Sequence, residues 1–193
     1  MYKIKKHFQS GASLIEAMVA LLIMSLGLLG IAGLQLNAIA YQKTSWSTHR
    51  VAEITNDFSE RIRGNMTGAN SGNYTYANNY ATGSTATFSS NNCRTSGGYC
   101  STAQIAADDI GAFISKAQTI LPGGSAQVTG TVATGFIVNV MFMDKDFVDP
   151  TTGTLLASDV CTAATAGVEW RNCCPAAAAV PNGVRCRRFN IIP

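Results

Sequence analysis

The sequence has little charge, and the charge is unevenly placed. Asp, Glu, Lys and Arg make up 13% of the 193 residues and apolar residues 47%, whereas about 25% of residues are charged in typical soluble domains. The formal charge of +3 comes from Lys3, Lys5 and Lys6, because eleven basic and eleven acidic residues balance from residue 12 onward. This excludes a globally basic nucleic-acid-binding protein, whose affinity comes from a high positive field.

The sequence is also poor in residues for catalysis or metal binding. Its two histidines are His7 and His49, so a Ser-His-Asp or Cys-His arrangement would have to be built around His49. Residues 144–149 contain the one acidic cluster, Asp144, Asp146 and Asp149. It could hold calcium, but it lacks the glycine and the distal glutamate of an EF-hand loop. We therefore predict a solvated turn there, no catalytic residue, no metal site and no cofactor, and hence a protein that is not an enzyme.

A long apolar run is present near the N-terminus. In residues 17–34 the only polar side chain is Ser25, and about 20 such residues suffice for a helix to cross the hydrocarbon core of a bilayer. Lysines precede the run and a neutral flank follows it, which predicts a cytoplasmic N-terminus and a remainder outside. The sequence therefore predicts a single membrane-spanning helix.

Two simpler interpretations of this run leave one residue unexplained. A cleaved secretory signal has a shorter apolar region, although residues 38–40 imitate its small-residue cleavage site; a plain uncleaved anchor fits the length. Neither explains Glu16, because an acid in an apolar run costs roughly 2.5–3.5 kcal/mol near a bilayer centre. If the chain were cut after Gly11, the new amine of Ala12 could pair with Glu16 of the same or a neighbouring chain.

Residues 10–16, Ser-Gly-Ala-Ser-Leu-Ile-Glu behind a lysine-bearing leader, resemble the prepilin processing signal of type IV pilins and type II secretion pseudopilins. The apolar run through residue 35 is similar to PilV-type minor pilins in particular. The resemblance implies that a membrane peptidase cuts between Gly11 and Ala12 and methylates Ala12, which stands where the family usually has an aromatic residue. It also implies that Glu16 meets the N-terminal amine of an adjacent subunit as the filament grows.

The resemblance further implies a location and partners. The precursor is expected in the bacterial inner membrane as a single-pass protein with a cytoplasmic N-terminus, and then in the pilus, with its head in the periplasm or outside the cell. Its expected partners are other minor pilins, the major pilin, the prepilin peptidase and the inner-membrane pilus assembly platform. The implied role is to help prime pilus assembly, and so to support adhesion or twitching motility.

Two alternative functions stay open on the sequence. One is a minor pseudopilin of a type II secretion system, and the other is a pilus-tip subunit that binds DNA or a surface. Arg185, Arg187 and Arg188 with Phe189 could touch nucleic acid, but three charges give a weak electrostatic footprint. Alternation on an edge strand explains them equally well, so nucleic acid is not an expected partner.

The long helix is predicted to serve both the membrane and the head. No proline interrupts residues 12–63, and a continuous helix of that length extends about 78 Å. We expect a leader at 1–11, a helix at 12–63 and a head at 64–193, with the helix transmembrane over 14–36 and amphipathic over 37–63. Gly27, Gly30 and Gly33 form a stripe that could let helices pack closely. In the amphipathic part Val51, Ile54, Phe58 and Ile62 recur at helical spacing, and Asp57 and Arg61 can pair.

The head is predicted to be α+β, with a pilin-like long helix packed on an antiparallel sheet. Residues 65–93 are predicted to form a long loop, with a short strand around 73–80, because 19 of the 29 residues are Asn, Gly, Ser or Thr and none is charged. A helix is predicted from Ser101, with Gln104 completing the cap and an apolar face at Ile105, Ile110, Phe113, Ala117 and Leu121. Strands are predicted at 126–132, 135–142, 168–172 and 184–191. The resemblance to PilV-type heads extends to about residue 132.

Six cysteines lie in the part predicted to be outside the membrane: Cys93, Cys100, Cys161, Cys173, Cys174 and Cys186. An even number in an oxidising compartment favours disulfides, and the CxxC pairs typical of structural zinc sites are missing. Six cysteines allow 15 connectivities. Cys93 with Cys100 is the best local pair, and the adjacent Cys173 and Cys174 are expected to take separate partners among Cys161 and Cys186.

Overall fold

The computed structural model describes residues 14–91, 93 and 99–193. The chain divides into two compact units, the first ending at Thr44 and the second spanning Ser45–Pro193. The helices are α1 (Leu14–Gly64), α2 (Met66–Asn70), α3 (Tyr80–Thr85), α4 (Thr102–Ile120) and α5 (Gly167–Trp170), and the strands are β1 (Ser125–Thr131), β2 (Gly135–Met143) and β3 (Val184–Ile191). This is the predicted α+β, pilin-like fold: a long N-terminal helix, a small antiparallel sheet, an additional helix and disulfides.

The first helix is continuous over 51 residues. Charges at its two ends suit the helix dipole, since Glu16 lies in the first turn and Arg61 and Arg63 lie in the last. The helix ends at Gly64, one residue beyond the predicted end, and the next residue, Asn65, caps α2.

The C-terminal part of α1 supplies one side of the main core of the head. Val51, Ile54, Phe58 and Ile62 are all buried, as their helical spacing predicted. The ring of Phe58 stacks on Phe113 of α4, with 4.4 Å between the ring centroids. The two helices therefore contribute side chains to the same apolar core.

Helix α4 begins with the predicted capping box. The backbone nitrogen of Gln104 donates to the Ser101 hydroxyl at 3.3 Å, and the side-chain oxygen of Gln104 accepts from the backbone nitrogen of Ser101 at 2.9 Å. Its predicted apolar face is largely confirmed, although Ile105 is only half-buried. The fully buried Ile114, which the predicted face omitted, packs in the same core.

The sheet has the order β1-β2-β3, and both neighbouring pairs are antiparallel. Val138 in β2 lies opposite Val128 in β1 and Phe189 in β3. Three of the predicted strands are thus confirmed within one residue at each end.

Both faces of the sheet are covered. On one face Val128, Val138 and Phe136 pack with α1 and α4 in the main core. On the other, Met141, Val184 and Cys186 pack in a second cluster with Tyr80, Cys174 and Ala178. The 40-residue connection between β2 and β3 (residues 144–183) contributes Cys174 and Ala178 to this cluster.

The predicted strand at 168–172 is wrong. Residues 167–170 form the short helix α5, which begins at Gly167 with a φ of 63°. The nitrogens of Arg171 and Asn172 then donate to the carbonyls of Val168 and Glu169. Local turn geometry therefore prevails over the strand preference of valine and tryptophan.

The predicted long loop at 65–93 is more ordered than expected. It contains α2 and α3, and the strand expected around 73–80 reduces to one bridge between Tyr76 and Val128. Its polar residues cap these helices: the side-chain oxygen of Asn65 accepts from Gly68 nitrogen, and that of Asn79 accepts from Thr82 nitrogen. Tyr74 is completely buried, so the segment contributes to the core.

Candidate functional site

The N-terminal part of α1 presents an apolar surface. Every side chain from residue 14 to residue 39 is exposed, and α1 contains a window with a mean hydropathy of 2.4 that is long and apolar enough to cross a membrane. The Ser25 hydroxyl donates to the Leu22 carbonyl at 2.8 Å, so its hydrogen bond is made within the helix. This part of the helix has the chemistry of a membrane segment.

Glu16 lies on this exposed apolar surface, in the first turn of α1. Together with Ile15, Val19, Ala20 and Ile23 it lines a shallow groove along the helix. A carboxylate is therefore placed among apolar side chains in the first turn of the helix. The predicted cleavage residues Gly11 and Ala12 lie outside the described residues.

Gly27, Gly30 and Gly33 have no close neighbour within the described chain. A Cβ atom added at any of them would meet nothing within 4 Å. By contrast, a Cβ at Gly111 in the head would lie 2.8 Å from Cβ of Phe88. Contacts inside this chain therefore explain the head glycine but not the three glycines of the apolar run.

A polar network joins α1, α4 and the segment before α3. Arg61 of α1 donates from Nη1 to Oδ1 of Asp109 at 3.1 Å, and Asp109 also accepts from the Tyr74 hydroxyl at 2.6 Å. From Nε, Arg61 donates to Oδ2 of Asp57 at 3.2 Å, and Lys116 donates to the same oxygen at 2.8 Å. The sequence predicted the Asp57–Arg61 pair but not the extension to residues far away in the chain.

The network changes the proton affinities of its members. Burial and the bond to Asp109 raise the pKa of Tyr74. The hydrogen bond from Lys116 lowers the pKa of Asp57, and with a further contribution from Arg61 it outweighs burial. Burial opposes the charge on Arg61, but Asp109 and Asp57 leave its pKa raised. The network is therefore a structural ion cluster, with both carboxylates held by cations and Tyr74 held neutral.

Three disulfides hold the head. They join Cys93 to Cys100, Cys161 to Cys173 and Cys174 to Cys186. The first is the local pair that the spacing favoured, and Cys173 and Cys174 take different partners. Two of the three thus constrain the long connection between β2 and β3, which has little helix or strand. One closes a loop within the connection, and the other joins the connection to β3.

Carboxylates of the acidic cluster accept hydrogen bonds from their own turn and from β3. Asp144 accepts from Nη1 of Arg185 at 3.2 Å, and Asp149 accepts from the nitrogens of Thr151 and Thr152 at 2.7 and 2.9 Å. These two hydrogen bonds lower the pKa of Asp149, with that from Thr152 the stronger cause. Within the described residues, no group of three or more His, Cys, Asp and Glu is placed to hold a metal ion, and His49 is exposed on α1.

The β3 arginines differ in their partners. Arg185 pairs with Asp144 and lies 5.0 Å from the Phe147 ring centroid. Arg187 and Arg188 instead contact the neutral side chains of Asn172 and Asn139, and Arg188 stacks over Trp170. The sequence placed these arginines on an edge strand, but it did not predict the stacking, which depends on the path of the long connection.

Comparison with known protein families gives one match. The family described as "Prokaryotic N-terminal methylation motif" matches residues 6–32, which include the predicted cleavage residues Gly11 and Ala12, Glu16 and most of the apolar run. No curated protein and no solved structure matches the chain. The motif supports a type IV pilin-like protein, either a pilin or a pseudopilin, of a kind that is structural rather than enzymatic. With the apolar helix it fits a membrane-anchored pilin.

Proposed function

We propose that the chain is a PilV-type minor pilin that helps to prime type IV pilus assembly together with other minor pilins. In this proposal the precursor sits in the inner membrane, the prepilin peptidase cuts it between Gly11 and Ala12 and methylates Ala12, and the assembly platform moves it into the filament. The observation that carries the proposal is the continuity of the methylation motif with α1. That helix is exposed and apolar in its first part and buried in the head in its last.

Glu16 is the residue that we assign to recruitment. In lipid its charge is unfavourable, whereas in a filament the amine of an adjacent Ala12 would neutralise it. A subunit in the wrong register would leave the charge unmatched, so the acid would act mainly on register and not on net stability.

N-terminal sequencing of the protein from purified pili tests the proposal. A start at Ala12 is expected, and methylation would appear as an added mass on that residue. A start at Tyr41, after the signal-like residues 38–40, would overturn it.

The role of Glu16 is tested by filament incorporation. Glu16→Ala is expected to reduce the amount of the protein in sheared filaments while leaving the membrane pool intact. Glu53→Ala is the matched control, because Glu53 lies on the same helix in an exposed ion pair with Arg50. Equal incorporation of the two variants would remove Glu16 from the proposal.

The alternative that shares the motif is a minor pseudopilin of a type II secretion system. Deletion of the gene separates the two. Pilus loss with intact secretion is expected for a minor pilin, and a secretion defect with normal pili would assign the chain to the secretion machine.

A further inference from the structure

Three arginines meet at the edge of the sheet. The backbone nitrogen of Arg188 in β3 donates to the carbonyl of Arg171, which follows α5, at 2.9 Å. Arg187 is the neighbour of Arg188 on the strand, and its Nη1 donates to Asn172 at 2.6 Å. Because β3 is an edge strand, these contacts bring the backbones of Arg171, Arg187 and Arg188, here called the arginine cluster, together at this edge, while the consecutive side chains of Arg187 and Arg188 leave β3 on opposite faces.

No member of this cluster forms an ion pair with an acid within the described part of the chain. Arg187 donates to the neutral oxygens of Asn172 and Cys186, and Arg188 donates from Nε to Asn139 at 3.1 Å. Elsewhere in the head, Arg61 and Arg185 pair with carboxylates. Asp159 lines the same small cleft as Arg187 but forms no ion pair with it.

Two members of the cluster, Arg187 and Arg188, are also partly withdrawn from water. Burial lowers the pKa of Arg187, with a further contribution from Arg185 and an opposing one from Asp144. Burial likewise lowers the pKa of Arg188. Cations that have lost hydration without gaining a counter-charge are stabilised by an incoming anion.

The geometry of Arg188 suits a planar oxyanion. Its guanidinium lies 4.6 Å from the Trp170 ring centroid, and its Nε is fixed by Asn139. No described residue accepts a hydrogen bond from its two terminal nitrogens. This pair of donors, here called the fork, is therefore available to a ligand. A stacked, oriented guanidinium binds a carboxylate or phosphate through two parallel hydrogen bonds.

The surroundings favour a protein over a nucleic acid. Val168, in the same short helix α5 as Trp170, is 76% exposed, and a protein partner can cover such an apolar side chain. Tryptophan and arginine are the residues that dominate the energetic centres of protein interfaces. Residues 45–193 carry ten basic and ten acidic residues, so the head lacks the net positive field that attracts a polyanion.

We propose that the arginine cluster is a docking site for a carboxylate-bearing, partly apolar segment of another pilus subunit. The identity of the partner as a pilus subunit rests on the proposed function above. Arg188 binds the carboxylate through its fork, Arg187 and Arg171 add charge, and Trp170 with Val168 covers the apolar part of the segment.

The test uses the full chain in detergent and the fluorescence of Trp170. Trp46→Phe removes the other of the two tryptophans. The probe is a synthetic peptide of alternating glutamate and leucine, with a matched peptide in which glutamine replaces each glutamate. The acidic peptide is expected to change the fluorescence saturably. The glutamine peptide is expected to bind at least about tenfold more weakly.

Variants separate the fork from simple charge. Arg188→Lys keeps the charge but loses the fork, and it is expected to weaken binding of the acidic peptide roughly tenfold. Arg187→Gln removes a nearby charge and leaves the fork in place, so it is expected to weaken binding by a smaller factor. Arg63→Gln is the matched control, because Arg63 is an exposed arginine that pairs with Glu60 on α1, and it is expected to bind as the parent does. Disulfide mapping and thermal unfolding establish that each variant is folded.

Three results would overturn the inference: no saturable change, equal binding of the glutamine peptide, or tighter binding of an oligothymidylate, which would assign the cluster to nucleic acid. Equal binding by Arg188→Lys would overturn the role of the fork. These results are independent of filament assembly. A chain that starts at Ala12 in pili but binds no peptide keeps the proposed function and loses the docking site, and the reverse result keeps the binding site but loses the pilus partner.

Discussion

The hydroxyl of Tyr74 donates a 2.6 Å hydrogen bond to Oδ2 of Asp109, and both residues are buried. The other oxygen of Asp109 accepts from Arg61, so one carboxylate ties α4 both to α1 and to the segment between α2 and α3. In this ion pair the side chain of Arg61 is 17% exposed and that of Asp109 is 11% exposed. Removing one partner of so buried a pair leaves the other charge without compensation, which is the costly case.

We therefore expect Asp109→Ala to lower the free energy of unfolding by about 3 kcal/mol. Tyr74→Phe removes one hydrogen bond and is expected to cost about 1–2 kcal/mol. Urea unfolding of the purified chain in detergent measures both values. Asp108→Ala is the neighbouring control, because Asp108 is only half-buried and accepts from Asn91. A loss in the control as large as that in Asp109→Ala would show that the network is not what stabilises this region.

The loss of stability at acid pH is expected to depend on Asp57. Its pKa is lowered in the folded state from an ordinary value of 3.8, so the folded chain binds fewer protons than the unfolded chain. Its stabilising contribution is therefore present above about pH 4 and is lost as the pH falls through the lowered pKa. Urea midpoints of the parent and Asp57→Asn should differ at pH 6 and converge toward pH 2.

The hydrogen bond from Lys116 is the largest cause of the lowered pKa of Asp57. Removing Lys116 therefore provides a control for the pH dependence. In a Lys116→Gln background, the change in urea midpoint caused by Asp57→Asn should be smaller than in the parent above about pH 4. The Asp57 side chain is 41% exposed, so solvent screening keeps the whole effect modest. An unchanged pH dependence in this background would remove Lys116 from the explanation.

The fold follows from local patterns where those patterns are strong. Helical spacing of Val51, Ile54 and Phe58 predicted a buried stripe, and alternation around Val138 predicted a strand. The strand predicted at 168–172 failed because residues 167–170 form a short helix, whose backbone carbonyls at Val168 and Glu169 accept hydrogen bonds from the residues that follow it.

The polar contacts of the head could not be predicted in the same way. Tyr74 and Asp109 are 35 residues apart, and Arg61 and Asp109 are 48 apart, so no spacing rule joins them. The uncharged composition of residues 65–93 pointed to a solvated loop, whereas Asn65 and Asn79 use their amides to cap helices. The stack of Arg188 on Trp170 likewise depends on the path of the long connection. The assembly roles of Gly11, Ala12, Glu16 and the three glycines of α1 stay predictions.

The cap of α4 gives a test in which one substitution has opposite effects at two positions. Ser101→Ala removes the acceptor for the Gln104 nitrogen and is expected to cost about 1 kcal/mol. Ser115→Ala, at an exposed position inside the same helix, is expected to stabilise the head by a few tenths of a kcal/mol because alanine is the better helix former. Thermal unfolding of both variants measures the difference, and a destabilisation of equal size would contradict the capping role.

The disulfides provide the last test, because they differ in burial more than in the length of chain they close. Cys174–Cys186 closes a separation of 12 residues and Cys93–Cys100 one of 7. Loop closure alone makes each worth about 2–3 kcal/mol. Cys174 and Cys186 are also buried in the second cluster, at 1% and 0% exposure, so Cys174→Ala with Cys186→Ala additionally leaves a cavity between the sheet and the long connection.

We therefore expect the double variant at Cys174 and Cys186 to lose more stability than the double variant at Cys93 and Cys100. Limited proteolysis under native conditions should also cut the former first within residues 144–183, since the connection loses one of its two staples. Mass spectrometry of the unreduced fragments locates the cuts. If the Cys93 and Cys100 variant were the less stable one, chain closure would outweigh packing, and the second cluster would contribute little to holding the long connection on the sheet.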